Sequence, residues 1–163
     1  MGYVLEAVIA PPSLLRAGGP DLLEVGFVTL SEGLALVPVT EALASMDDQA
    51  AEAPSGFVRL TVPLVERVTA WSARGPLAYV EADFFGGTGS QRAVVWDRGV
   101  VDLGPLHQSE GEPTPEEGTP ISRALRRLGV GVGPDERDEF DTAGLGAHRS
   151  TDAWARQATP LGA

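Results

Sequence analysis

The chain has 163 residues, no cysteine and a formal net charge of −11, and all twelve of its basic residues are arginine. That length suits one domain burying about 68–70% of its unfolded surface, and a 43% hydrophobic content fits a globular chain rather than a disordered one. Disulfides, thiolate zinc sites and cysteine nucleophiles are excluded, and an acidic body repels phosphate backbones, which argues against nucleic acid as a ligand.

The same charge speeds association with a basic partner, although solubility alone accounts for it equally well. No apolar run reaches the ~18 residues of a membrane span. The start, MGYVLEAVIA, lacks the basic region of a signal peptide. A cytoplasmic protein that binds no membrane is expected.

Tyr3 to Ile9 is an apolar run broken only by Glu6, which predicts an interior strand covered on both faces. Pro11 and Pro12 end it, and Ser13 to Arg16 predict one or two helical turns before Gly18-Gly19-Pro20. Glu24 to Leu30 and Leu34 to Val39 flank Ser31-Glu32-Gly33, the pattern of a hairpin, and Pro38 predicts an edge strand because it has no amide hydrogen. Thr40 is placed to cap a short helix through Ala44, and residues 45–56 have loop composition. Leu64, Val65, Val68 and Trp71 then recur at helical spacing, with Thr61 as N-cap and Gly75-Pro76 as the stop.

Residues 77–104, LAYVEADFFGGTGSQRAVVWDRGVVDLG, predict a three-strand meander with a glycine-rich loop and an Asp-Arg-Gly turn. Residues 106–119 follow as an acidic, flexible loop rich in glutamate and proline. Thr119 and Pro120 open a helix whose stripe is Ile121, Ala124, Leu125 and Leu128, closed by Gly129. DERDEFD predicts a charged turn around Phe140. Thr151 or Asp152 is expected to cap a final helix carrying Trp154, and 155–163 reads as a tail. Together these predict one α+β domain over 1–154, a mainly antiparallel sheet of about six strands with helices packed against it.

No catalytic set is complete. The glycine loop at 86–90 leads into a strand and the chain has no P-loop lysine, so both it and Gly129–Gly133 read as turns. DERDEFD lacks the calcium-loop ligand order, and no metal or cofactor is implied. His148 lies beside Arg149 and four residues before Asp152, a spacing open to proton transfer or to simple local bonding around a helix start. Glu81 and Asp83 are the most unusual pair, two carboxylates in an apolar strand sharing a face with Tyr79. With Phe85 set near Gln91, they lie opposite Val95 and Ala93, about 7 Å apart. Such a pair can hold a cation, bind an arginine-rich partner, act as acid and base, or simply keep a wet sheet face soluble.

GPLAYVEADFFGGTGSQRAVVW, SRALRRLGV and DEFDTAGLGAHRSTDAW resemble a group of small uncharacterised bacterial proteins, some of which resemble immunity proteins of bacterial toxin systems. The resemblance covers about residues 75–154 and carries no site residues. It implies a cytoplasmic protein whose task is to bind a partner. Two functions are therefore expected to compete. One is a non-enzymatic, acidic protein-binding module using Glu81, Asp83 and the 135–141 patch toward a basic protein. The other is a small enzyme or ligand- or metal-binding protein using Glu81 and Asp83, with Gln91, His148 and Arg149 nearby.

Overall fold

The computed structural model describes residues 2–18, 25–44, 56–86 and 88–160. In chain order these form β1 (Gly2–Ala10), α1 (Pro12–Arg16), β2 (Gly26–Thr29), β3 (Ala35–Pro38), α2 (Glu41–Ala44) and α3 (Val62–Trp71). The second half adds β4 (Leu77–Phe85), β5 (Thr88–Asp97), β6 (Val100–Gln108), α4 (Pro120–Arg127), α5 (Glu139–Ala143), α6 (Thr151–Gln157) and β7 (Thr159–Pro160). The seven strands make one antiparallel sheet in the order β6-β5-β4-β1-β3-β2-β7. The α+β expectation holds, with β7 as the extra strand.

β1 is central because both of its sides are apolar. Val8 and Ala10 join Leu77, Tyr79, Val94 and Trp96 on one face, beneath α1, α3 and Phe57. Leu5, Ala7 and Ile9 join Val80, Ala93 and Val95 on the other, against Ile121, Leu125 and Trp154 of α4 and α6. The two faces are called A and B below. Helix boundaries follow from local capping: Thr61 accepts from the Leu64 amide and Thr119 from the Ser122 amide, each followed by a proline in the first turn.

Several expectations are corrected. Pro38 is not on an edge strand, since β3 pairs with both β1 and β2. The Val39 amide bonds to Glu6 on the β1 side, so strand alternation turns the Pro38 nitrogen the other way, past the end of the β2 pairing, where a missing donor costs nothing. The β4–β5 hairpin is tighter than predicted: Phe85 pairs with Thr88, leaving only 86 and 87 between them. Glu81 therefore faces Arg92 and Asp83 faces Ser90, while Ala93 and Val95 belong to face B.

β6 does not stop at Gly104 but runs on to Gln108, so the first residues of the expected 106–119 loop are paired strand. The pairing shifts register there, and Gly104, at φ 91°, comes so close that an added Cβ would sit 2.9 Å from the Ala93 carbonyl oxygen. Ser150, not Thr151 or Asp152, caps α6 by accepting from the Ala153 amide. Residues of the expected tail complete α6 and form β7 against β2. The loop expected over 45–56 lies outside the described residues up to 55, as do Gly19-Pro20, Glu24 and 161–163 of the tail.

Leu125 is fully buried where α4 meets the sheet. Leu125→Ala is expected to lower unfolding free energy by about 2–5 kcal/mol in urea denaturation.

Candidate functional site

A cluster of charged and polar groups lies within face A, where β1 and β4 place Glu6 directly opposite Glu81. Both are nearly inaccessible, at 6% and 3% exposure. A buried carboxylate must be satisfied by donors or cations, and here it is. Glu81 accepts from the Val58 amide at 2.8 and 2.9 Å, the Arg59 amide at 2.9 Å and the Tyr79 hydroxyl at 2.6 Å. The Arg92 guanidinium stands 3.6 Å away on the neighbouring strand.

Glu6 receives the Thr151 hydroxyl at 2.5 Å and lies 3.5 Å from Arg59. The same hydroxyl accepts from the Glu6 amide, which lies where β3 has left the edge of β1. Arg59 also donates to the Val39 carbonyl at 3.0 Å. Two carboxylates thus meet two guanidiniums, both arginines being partly in contact with water.

The arrangement ties residues 57–60, which belong to no strand, onto the sheet. Phe57 packs edge-on against Tyr79, with ring centroids 5.7 Å apart, and also meets His107 at 5.4 Å. Burial, and then the adjoining Glu81 charge and hydrogen bond, push the Tyr79 phenol well above its ordinary value, with only Arg59 pulling the other way. Burial alone raises Tyr3.

The six residues singled out from sequence do not form one site. Asp83 shares a face with Glu81 but lies in the open, one row beyond the covered part of the sheet. Gln91 is buried on face B, where its side-chain oxygen accepts from the Ile121 amide at 3.0 Å and fastens the start of α4. His148 stacks edge-on against Trp154, with centroids 4.6 Å apart, and no hydrogen bond joins it to Asp152 among the described residues. Asp152 is exposed in the first turn of α6. Arg149 is exposed, and its carbonyl accepts from the Val4 amide at 2.9 Å.

The 135–141 patch is used in part within the fold, while Asp135 and Glu136 stay exposed. Asp138 caps α5, buried Glu139 pairs with Arg126 at 3.0 Å, and Asp141 holds Arg137 at 2.8 Å. The Arg137 hydrogen bond holds Asp141 below the ordinary carboxylate range.

Sequence reasoning missed Glu6, Arg59 and Arg92. The available signal was an acid in each of two apolar strands. Their pairing needs strand order, which periodicity does not carry. Among the described residues no group of three carboxylate or imidazole side chains converges to hold a metal, and no helix is long and apolar enough to cross a membrane. Comparison with family models, curated proteins and solved structures finds no match to this chain.

A structural Glu81 makes a definite prediction. Glu81→Gln should cost about 2–3 kcal/mol in chemical denaturation, because an amide group meets amide donors and Arg92 loses its counter-charge. A fold-neutral Glu81→Gln would contradict the structural role. Alkaline stability offers a second test. With folded-state values raised above the unfolded ones, Tyr3 and Tyr79 contribute stability that is intact below about pH 10 and is lost as pH rises beyond it. Each adds a slope of about 1.4 kcal/mol per pH unit, and Tyr79→Phe is expected to halve the slope measured by denaturation between about pH 10 and 11.

Proposed function

We propose that the chain is a non-enzymatic, acidic protein-binding module of the cytoplasm, an immunity-type inhibitor whose partner has a basic surface. The observation that carries this reading is the uncovered half of face A. Beyond the row Glu6–Glu81–Arg92, the next rows are Val4–Asp83–Ser90 and Gly2–Phe85–Thr88. Phe85 is 74% exposed and Val4 40% exposed, with exposed Asp83 directly opposite Val4 in its row. Exposed Glu110 adjoins this end of the sheet through its 3.0 Å bond with the Thr88 hydroxyl.

An accessible aromatic beside two acids that make no ion pair with any described residue is the kind of anchor that concentrates binding energy at interfaces. It complements a basic surface, and the −11 net charge adds long-range attraction. The enzymatic alternative requires Glu81 and Asp83 in one accessible site. The bonding of Glu81 beneath residues 57–60 weighs against that.

The test compares wild type with a Phe85→Ser/Asp83→Asn double variant, both immobilised and offered lysate of the source cells and the products of neighbouring genes. A stoichiometric, basic partner held by wild type and lost from the equally stable variant is expected. Its association rate should fall about tenfold or more between ~50 and ~500 mM salt. Recovery of no stoichiometric partner, or of one that the variant holds equally well, would overturn the reading.

A further inference from the structure

Face B carries an open cleft of about 570 Å³ at the same end of the sheet. That volume lies within the range of about 300–1,000 Å³ typical of small-molecule sites. Three aromatic side chains wall it. Tyr3 stands with its ring centroid 6.2 Å from that of Phe84 and 5.6 Å from that of Phe140. The Tyr3 hydroxyl donates to the Leu145 carbonyl at 2.8 Å, which fixes the ring before any ligand arrives.

The charged lining is asymmetric. Arg137 is bonded to Asp141 and also lies in the field of Asp138, so the two acids of the cleft share one cation. Arg149 lines the same cleft, is exposed, and makes no ion pair with any described residue. An available guanidinium beside aromatic walls selects a planar anion, because it binds a carboxylate through paired hydrogen bonds while rings favour edge or offset contact with a ring.

We propose that this cleft binds a small aromatic carboxylate, its ring against Tyr3, Phe84 and Phe140 and its carboxylate on Arg149. The site uses the opposite face from Phe85 and Asp83, so its success or failure is separable from that of the protein-docking surface.

The full chain is titrated with benzoate and phenylacetate, with benzyl alcohol and acetate as controls, and followed by amide NMR shifts and calorimetry. Both aromatic carboxylates are expected to bind and to shift amides near Phe140 and Arg149, while the controls bind weakly. Arg149→Gln should weaken binding about tenfold or more. Gly146 lines the cleft, and an added Cβ there meets no atom within 4 Å. Gly146→Leu should therefore fold and occlude the site, whereas the Phe85→Ser/Asp83→Asn variant should bind as wild type does. The proposal is overturned if benzoate shows no binding up to about 10 mM, if benzyl alcohol or acetate binds as well as benzoate, or if Arg149→Gln keeps wild-type affinity.

Discussion

The Glu81 carboxylate makes it possible for residues 57–60 to lie across the sheet. Those residues have no strand partner, and a covered amide left without an acceptor costs about 1–3 kcal/mol. One side chain supplies the acceptor for two successive amides, Val58 and Arg59, and for the Tyr79 hydroxyl. Such a carboxylate is expensive to bury alone. Arg92 beside it, and Arg59 beside Glu6, keep the cluster electrically balanced. Thr151 then connects Glu6 to the start of α6, so one network links β1, β4, the 57–60 segment and the last helix.

This network also divides face A. On one side of it the sheet is covered by Phe57, Leu60, α1 and α3. On the other the rows through Val4 and Phe85 stay open. The buried glutamates anchor residues 57–60 short of that open end. Face B is closed differently, by α4 and α6, with Gln91 bonded to the first turn of α4. Its cleft opens where the helical cover ends beside α5.

Acidity is distributed unevenly across these surfaces. Glu139, Asp138 and Asp141 are engaged by a basic side chain or a helix start, which leaves exposed Asp135 and Glu136 as the acids of the 135–141 segment that present charge. The acids at the β4–β5 hairpin and in the 109–118 loop stay in water. A charged stretch in the sequence is therefore a poor guide to a charged patch. Neutralisation is decided by neighbours distant along the chain.

What the sequence determined by itself was local. Helix starts at Thr61 and Thr119 were legible because a cap bonds to an amide three residues on, and the central place of β1 was legible because both of its faces are apolar. The adjacency of Tyr79 and Glu81 follows from strand alternation alone. Tertiary structure decided the rest. The two-residue connection between β4 and β5 set a register that put Arg92, not Val95, opposite Glu81 and moved Ala93 and Val95 to the other face. Strand order brought Glu6 against Glu81, and the path of residues 57–60 changed Glu81 from an apparent surface acid into a buried acceptor. Caps and alternation act within a few residues, whereas register, strand order and coverage depend on contacts made only when the whole sheet has assembled.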